Sequence, residues 1–123
     1  MRPAVLSIAT ERVVSPIRNA VLAHAGYGVI PATSTEYALR VLRGRHVCAL
    51  VVGHSISGNE RRALCQEAHR MGVPSVVLDP YDLEVGDQSE LHVNPLDGPE
   101  VFLQAVATQV ARSQQTQVDF KLQ

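Results

Sequence analysis

Residues 47–79 read VCALVVGHSISGNERRALCQEAHRMGVPSVVLD, a stretch in which two apolar runs flank a segment with helical signals. The first run, Val47–Val52, is continuous and rich in β-branched residues, as is typical of a central strand in a parallel sheet. Ser57–Glu60 has the spacing of a capping box at the start of a helix, and Gly72 marks the end of that helix. Val76–Leu78 supplies the second run. The stretch therefore predicts two parallel strands joined by a helix.

The same alternation of strand and helix extends in both directions from this unit. Ala4–Ala9 and Val29–Ile30 are short apolar runs that predict two earlier strands, each followed by a helical segment. Leu91–Val93 predicts a fifth strand, and Gly98–Glu100 precedes a last helix. The repeated pattern predicts a single α/β domain of the flavodoxin-like (βα)5 type. We expect a parallel five-stranded sheet in the order 2-1-3-4-5, with helices on both faces.

Local signals also predict where the first two helices begin and which side of the first helix is buried. Ser15–Pro16 has the form of an N-cap followed by proline in the first helical position. Ile17, Val21 and Ala25 share one face of that helix, with Val14 and Leu22 beside it, which indicates the apolar side of the helix. Thr33–Glu36 is a capping box that opens the next helix, with Thr33 as the cap.

The pattern weakens before the fifth strand and at the C-terminus. Residues 80–93 separate Asp79 from Asn94, contain Gly86 and lack a clear apolar stripe. We therefore expect a shortened or absent fourth helix. Residues 113–123 are rich in Gln, so we expect one domain over residues 1–112 and a C-terminal tail or an extension of the last helix over residues 113–123.

Charge and composition exclude several classes of function. The formal net charge is -1 and the basic residues are scattered, which argues against a nucleic-acid partner. The longest apolar runs are far shorter than a membrane span, and the N-terminus lacks the layout of a signal peptide. Cys48 and Cys65 have no metal-ligand spacing, so we expect buried, reduced thiols. These observations predict a cytoplasmic protein that binds neither membrane nor nucleic acid.

Several segments resemble the receiver domain of bacterial response regulators, and they occur in the order that this family has. They are AVLSIATE at 4–11, AGYGV at 25–29, TEYALRVLR at 35–43, VPSVVLD at 73–79 and VNPLDGPEVFLQAV at 93–106. The resemblance covers about residues 4–112. It implies the same flavodoxin-like fold and a role in two-component signal transduction, related to a phosphorelay.

The residues on which the family's phosphorylation chemistry depends are missing from this chain. Receiver domains use two acidic residues to hold Mg²⁺, an aspartate to accept the phosphoryl group, a Thr or Ser to sense the phosphate, and a lysine to pair with it. The corresponding residues here are, in the same order, Ala9 and Thr10, Gly53, Asp79, and Asn94. Pro95 alone is retained, at a position that often carries a cis peptide bond in the family.

These departures predict a receiver-like protein that is not phosphorylated. Mg²⁺ prefers carboxylate oxygens, which Ala9 and Thr10 do not offer, and Gly53 has no nucleophile. Phosphoryl transfer depends on positioning and charge neutralisation, and both the metal and the lysine that would supply them are missing. We therefore predict no enzymatic activity, no catalytic residue, no bound metal and no cofactor.

The resemblance also implies a protein partner. We expect the chain to bind a signalling protein or to form a homodimer, independently of phosphorylation. The surface would be the side formed by strand five and the last helix, or the loop at Tyr81–Glu90. The last helix favours this interpretation because Val101, Phe102, Leu103 and Val106 cover more of it than one buried face requires.

Two other functions remain open for the edge at which the strands end. A pocket there would suit a small-ligand or metal sensor, because a histidine with two carboxylates can bind a divalent metal. The residues that would line it are Thr10, Glu11, His54, Ser55, Asp79, Asn94 and Pro95. A minor enzyme could use His54 or Ser55, since GHSIS at 53–57 resembles the serine turn of hydrolases. However, Ser57 stands where that motif requires glycine.

Overall fold

The computed structural model describes residues 2–10, 14–79 and 90–122, and for residues 14–15 and 115–122 it describes the backbone alone. The strands are β1 (Ala4–Ile8), β2 (Gly28–Ala32), β3 (Ala49–Val52), β4 (Ser75–Leu78) and β5 (Glu90–Val93). The helices are α1 (Val14–His24), α2 (Thr35–Gly44), α3 (Gly58–Arg70) and α4 (Pro99–Leu122), with a 3₁₀ turn at Pro95–Asp97. The strands form one parallel sheet in the order β2-β1-β3-β4-β5, which confirms the predicted fold class.

The central position of β3 follows from its apolar side chains on both faces. This strand pairs with β1 on one side and with β4 on the other. Leu50 and Val52 pack with residues of α2 and α3, whereas Ala49 and Val51 pack with residues of α1 and α4. Each buried Val or Leu side chain contributes about 1.5–3 kcal/mol. A strand without polar side chains is therefore most stable where helices cover both of its faces.

The start of α3 agrees with the predicted cap, whereas α2 begins later than predicted. Ser57 is the N-cap of α3, and its Oγ accepts a hydrogen bond from the Glu60 N–H at 3.4 Å. The N-cap of α2 is Ser34, whose Oγ accepts from the Tyr37 N–H at 3.2 Å. The prediction that Thr33 caps this helix is therefore wrong. Thr33 and Ser34 are both good caps, and the backbone path decides which hydroxyl faces the free N–H groups.

The first helix differs from its prediction in both its start and its buried face. It begins at Val14, so Pro16 lies within the first turn, where a missing N–H costs no hydrogen bond. Ile17 is 61% exposed, whereas Arg18 and Leu22 are buried. The structure therefore buries Leu22, which the pattern placed beside the apolar face, whereas the prediction is wrong for Ile17. The helix turns an arginine stem and Leu22 inward, and it leaves Ile17 at the surface.

The last helix is the longest element and extends beyond the sheet. It spans 24 residues, which corresponds to about 36 Å, and it continues without a break through residues 113–122. Its buried side chains are those of Phe102, Ala105, Val106, Gln109, Val110 and Ser113. Gln109 is fully buried, and its Nε2 donates to the carbonyl oxygen of Ser75 at 2.9 Å. This bond ties α4 to the start of β4.

The edge strand β2 carries a proline whose backbone faces away from the sheet. The Gly28 N–H donates to the Pro3 carbonyl at 2.9 Å, and the Ala32 carbonyl accepts from the Ala9 N–H at 3.1 Å. Gly28 and Ala32 therefore direct their backbone groups toward β1. Because successive residues of a strand alternate in this direction, Pro31 directs its backbone outward, where its missing N–H breaks no bond of the sheet.

Two expectations from the sequence fall on the segment between β4 and β5. The shortened or absent fourth helix and the binding loop at Tyr81–Glu90 fall on residues 80–89, which lie outside the described residues. In the parts of the chain that the structure describes, no helix has the length and apolar character needed to cross a membrane.

Candidate functional site

The residues that correspond to the receiver phosphorylation site lie at one edge of the sheet. In a parallel sheet all strands end at the same edge, where ligands of such folds bind. Ala9, Gly53, Asp79 and Asn94 directly follow β1, β3, β4 and β5. The Gly53 N–H donates to the Ile8 carbonyl at 2.9 Å, and the Asp79 N–H donates to the Val93 carbonyl at 3.0 Å. The sheet ladder thus continues into these positions and holds their backbones in place.

Gly53, which corresponds to the phosphoryl acceptor, has no space for a side chain. A Cβ atom at this position would lie 2.9 Å from the Ala9 Cβ, 3.1 Å from Arg18 Nη1 and 3.2 Å from the Ile8 carbonyl oxygen. The first distance is shorter than carbon atoms tolerate, and the Ala9 Cβ is fixed to the backbone. Ala9 is itself 1% exposed. An acceptor side chain is therefore excluded by packing as well as by the identity of the residue.

Arg18 brings a positive charge to this edge, and sequence reasoning missed it. Arg18 is 7% exposed, and its Nη1 lies beside the position where a Gly53 side chain would begin. A guanidinium stays protonated in proteins, so the charge is permanent. The signal in the sequence was weak, because an arginine in an amphipathic helix normally indicates the solvent side. The spacing of Arg18 and Leu22 on one face is the only hint that the pattern offers.

Thr10 and Ser55 connect the turns that follow β1 and β3. The Thr10 hydroxyl donates to Ser55 Oγ at 2.7 Å, and the Thr10 backbone N–H donates to the same oxygen at 3.2 Å. Two bonds to one oxygen hold both turns together across the edge of the sheet. The Thr10 side chain is thereby occupied by Ser55, in the place where a receiver domain has an acidic metal ligand.

Asp79 is held on the other side of the sheet by a cation of α3. Its carboxylate oxygen Oδ2 lies 3.6 Å from Arg61 Nη1, and its side chain is 10% exposed. Burial of a carboxylate is favourable only when a positive charge or hydrogen bonds compensate for the lost hydration. Asp79 is therefore part of an ion pair with α3. Its negative charge would repel a phosphate placed at the end of β4.

Asn94 and Pro95 shape the turn that follows β5. Asn94 Oδ1 accepts a hydrogen bond from the Leu96 N–H at 2.9 Å and caps the 3₁₀ turn. The described residues contain no cis peptide bond. The cis bond that the resemblance implies at Pro95 is therefore absent. The 3₁₀ turn, which starts at Pro95 itself, makes the change of chain direction before α4 with a trans bond.

Of the predicted pocket residues, Thr10 and Ser55 contact each other, whereas Asp79 and Asn94 bond with residues outside the predicted set. His54 is exposed, and Glu11 lies outside the described residues. Thr10 contacts Ser55, Asp79 pairs with Arg61, and Asn94 bonds within its own turn. Among residues 2–10, 14–79 and 90–122, no three His, Cys, Asp or Glu side chains are grouped to hold a metal ion.

Both cysteines are buried free thiols, which agrees with the sequence prediction. Burial raises the pKa of the Cys65 thiol to about 12, and the nearby Glu90 carboxylate adds to this effect. A thiol with such a pKa stays protonated near neutral pH, and a protonated thiol is a poor nucleophile and metal ligand. The position of Cys65 between α3 and the sheet is therefore one of packing.

Comparison with known proteins identifies the fold but no close relative. No family model matches the sequence, and no curated protein matches it significantly. An adenylate cyclase from Rhodopirellula baltica has a TM-score of 0.85 at 14% identity, with 99% of this chain and 97% of that chain covered. A response regulator receiver protein from Sinorhizobium medicae WSM419 has a TM-score of 0.73 at 15% identity, with 91% and 97% covered.

A third similar structure is the receiver domain of a sensor histidine kinase from Pseudomonas aeruginosa PAO1, which has a magnesium ion coordinated in its active-site cleft. Its TM-score is 0.76 at 13% identity, and the alignment covers 90% of this chain and 99% of that domain. The present chain has none of the carboxylates that the resemblance assigns to the metal at positions 9 and 10. Its five-stranded parallel sheet nevertheless has the fold of response-regulator receiver domains.

Proposed function

We propose that this chain is an atypical receiver-like signalling module that acts by binding a protein and does not accept a phosphoryl group. The observation that carries the proposal is the contact between Ala9 and Gly53. A side chain at position 53 would begin 2.9 Å from the Ala9 Cβ, so the place of the acceptor is closed. The fold shared with receiver domains supports the signalling role, and the closed acceptor position supports independence from phosphorylation.

Electrostatics at the same edge favour this proposal. A bound Mg²⁺ would have to lie beside the permanently charged guanidinium of Arg18, with no carboxylate at positions 9 and 10 to compensate. A phosphate at the end of β4 would lie beside the Asp79 carboxylate, which Arg61 already neutralises. Positions 9 and 10 therefore lack the carboxylates that would hold the metal, and position 79 has an ion-paired carboxylate in place of the hydroxyl that would sense the phosphate.

One hydrogen bond and one ion pair at this edge also support a surface that is constant in shape. Thr10 is fixed to Ser55 at 2.7 Å, and Asp79 is fixed to Arg61 at 3.6 Å. In a receiver domain, the residue at the position of Asp79 responds to the new phosphate. Here that position is already engaged by a residue of the same chain. The module would therefore present one conformation to its partner, and its signal would depend on how much of the protein or partner is present.

The side at which the partner binds is indicated by exposed apolar residues. Leu96 is 86% exposed, Ile17 is 61% exposed and Val101 is 46% exposed. They lie in the β5–α4 connection, the first turns of α1 and the first turn of α4, which all belong to one end of the molecule. Phe102 and Val106 are buried, so only part of the apolar surface predicted for the last helix is available to a partner. We refer to Ile17, Leu96 and Val101 as the apolar end surface.

The test of phosphorylation independence uses beryllofluoride, a phosphoryl mimic, together with Mg²⁺. Amide NMR spectra are recorded before and after addition, and a receiver domain that keeps the acceptor aspartate serves as the positive control. We expect shifts in the control and none at Ala9, Gly53 or Asp79 of this chain. Saturable shifts at these amides, or an aspartyl-phosphate adduct formed with acetyl phosphate, would refute the proposal.

The test of protein binding uses a photo-crosslinking amino acid placed at Leu96 in cells that produce the protein. The same amino acid at Arg62, an exposed position on α3, is the matched control. We expect a crosslinked adduct from position 96 that is absent from position 62. An adduct between two copies identifies a homodimer, and a mixed adduct identifies a signalling partner. Equal yields from both positions would contradict a partner at the apolar end surface.

A further inference from the structure

Arginines that are scattered along the sequence come together in the fold, at the edge of the sheet where the strands begin. Helices that connect parallel strands run antiparallel to them, so α2 and α3 end at this edge. Arg43 lies in the last turn of α2, and Arg70 lies in the last turn of α3. Arg45 follows α2 directly, and Arg2 precedes β1, the neighbour of β3 in the sheet. With Arg40, which lies one turn before the end of α2, these residues form what we call the basic edge.

Acidic side chains occupy the opposite edge, where the helices begin. The acidic residues in the first turns of α2, α3, the 3₁₀ turn and α4 are Glu36, Glu60, Asp97 and Glu100. This separation agrees with the helix dipole, which favours carboxylates at N-termini and cations at C-termini. At the edge where the strands begin, the acidic residues that the structure describes are Glu67 and Glu90, and the Glu90 carboxylate lies 3.3 Å from His92 Nε2. The described part of this edge therefore has an excess of positive charge.

Glu67 shows how the basic edge holds a carboxylate. Its Oε1 accepts a hydrogen bond from Arg43 Nε at 3.1 Å, and Arg70 Nη2 donates to the same oxygen. The hydrogen bond from Arg70 is the main cause that lowers the pKa of the Glu67 carboxyl, and Arg43 adds to it. The side chains of Arg43 and Arg70 nevertheless remain 58% and 66% exposed. Because a guanidinium has five N–H donors, both arginines keep donors that Glu67 does not use.

The other three arginines of the basic edge are exposed to solvent. In the described parts of the chain, no hydrogen bond or ion pair joins the side chain of Arg2, Arg40 or Arg45 to another residue. Arg40 lies three residues before Arg43, so the two are neighbours on the surface of α2. Glu36, one turn before Arg40, marks the limit of this surface. A ligand with several carboxylates would therefore find adjacent guanidiniums, which bind carboxylates through charge-assisted and often bidentate hydrogen bonds.

We propose that the basic edge binds a short acidic segment of another protein, whose carboxylates pair with Arg40, Arg43 and Arg45. A short segment with separate carboxylates fits because Glu67 and Glu36 interrupt the positive surface. A nucleic-acid strand, with a phosphate at every nucleotide, would bring phosphates beside these carboxylates. The formal net charge of -1 also provides no general attraction for a polyanion.

This inference goes beyond the proposed function and does not depend on it. It rests on the ends of α2 and α3, whereas the closed acceptor position and the apolar end surface lie at the opposite edge of the sheet. A chain with one binding surface at each edge would connect two proteins. Its role would then be that of an adaptor.

The experiment compares two peptides of the same shape that differ in charge. The full chain, labelled with ¹⁵N, is titrated with a hexapeptide of alternating Asp and Glu residues, and separately with the neutral hexapeptide of Asn and Gln. We expect saturable shifts of the Arg43, Arg45 and Arg70 amides with the acidic peptide and none with the neutral peptide. Added salt should weaken the binding, because it screens exposed charges. Equal shifts with both peptides, no saturable shifts, or shifts confined to other parts of the chain would overturn the proposal.

Variants separate the basic edge from the general charge of the protein. We expect Arg45→Gln to reduce the affinity for the acidic peptide about threefold, since an exposed ion pair contributes up to about 1 kcal/mol. Addition of Arg40→Gln should bring the loss to about tenfold. Both side chains are exposed, so the fold should be retained. Arg62→Gln, which removes an exposed arginine from the first turn of α3, is the matched control and should leave the affinity unchanged. An equal loss in Arg62→Gln and Arg45→Gln would overturn the proposal.

Two further measurements test the class of partner. A single-stranded oligonucleotide that shifts the same amides and binds more tightly than the acidic peptide at equal salt would overturn the assignment to a protein segment. Sedimentation that depends on protein concentration, and that the double variant at Arg40 and Arg45 abolishes, would assign the basic edge to a second copy and overturn the assignment to another protein. Failure of the crosslink at Leu96, by contrast, would contradict the apolar end surface alone.

Discussion

The Cβ of Ala9 lies 2.9 Å from the position at which a side chain of Gly53 would begin. The end of β1 therefore leaves no room for the Cβ of an acceptor side chain at the end of β3. An acidic residue at position 9 would be larger still, so the loss of the metal ligand and the loss of the acceptor are linked by packing. Restoring the chemistry of a receiver domain would require changes at both positions together.

We predict that Gly53→Ala destabilises the protein by about 1–3 kcal/mol, because an extra methyl group must displace a neighbour that the backbone holds. The control is Gly44→Ala, since a Cβ at Gly44 meets no atom within 4 Å. That change should be neutral or stabilising by about 0.4–1 kcal/mol. Urea denaturation measures both effects. If Ala9→Gly does not recover part of the loss caused by Gly53→Ala, the contact is not its cause.

We predict that Ser55→Ala costs about 1 kcal/mol, because it removes the acceptor of two hydrogen bonds from Thr10. Both groups are exposed, and water replaces part of the lost interaction. Amide hydrogen exchange provides a second measurement, since the Thr10 N–H should exchange faster in the variant. Thr10→Ser retains the hydroxyl and serves as the control. Unchanged exchange at Thr10 in Ser55→Ala would show that the two turns are not joined in solution.

We predict that Ser34→Ala lowers the free energy of unfolding by about 0.5–2 kcal/mol, because Ser34 caps α2 through the Tyr37 N–H. Thr33→Ala should have little effect, although the capping box in the sequence points to Thr33. Thermal or urea denaturation of the two variants distinguishes them directly. A larger loss for Thr33→Ala than for Ser34→Ala would place the cap where the sequence pattern puts it.

We predict that Cys65 contributes to the loss of stability at alkaline pH. Burial raises the pKa of its thiol from 9.0 to about 12, so the folded state holds this proton more tightly than the unfolded chain. This contribution is fully present below pH 9 and is lost as the pH rises from about 9 to about 12. The slope due to one such proton is at most about 1.4 kcal/mol per pH unit.

The measurement is the free energy of unfolding between pH 7 and pH 10.5 for the unmodified protein and for Cys65→Ala. The variant should be less stable at pH 7, but its stability should fall less steeply above pH 9. Cys48→Ala, which also removes a buried thiol, controls for the loss of packing. Parallel curves for the unmodified protein and Cys65→Ala would contradict the raised pKa.

The sequence predicted the architecture well because the strongest local signals agreed with the global fold. The run at Val47–Val52 could be stable only in the centre of a sheet, and Ser57 had a single helix to cap. Predictions failed where two adjacent residues fitted the same role equally well, as the cap of a helix or as part of its buried face. Thr33 and Ser34 are both residue types that can cap a helix, and only Ser34 does so. In α1, a rotation of about 100° about the helix axis exchanges Ile17 for Arg18 at the buried face.

The candidate site was predictable in its positions but not in its contacts. The order of the strands brings residues 9, 53, 79 and 94 to one edge, and this follows from the pattern of the sequence alone. The bond between Thr10 and Ser55 and the approach of Arg18 to Gly53 depend on turn geometry that the sequence pattern does not define.

The proline in β2 limits how two copies of this chain can associate. An incoming strand from another molecule needs a row of N–H and C=O groups along the free edge, and Pro31 interrupts that row with a residue that has no N–H to donate. Extension of the sheet from one molecule into the next is thereby disfavoured, and so is fibre growth at this edge. A homodimer should therefore not form by pairing of the β2 edges of two copies.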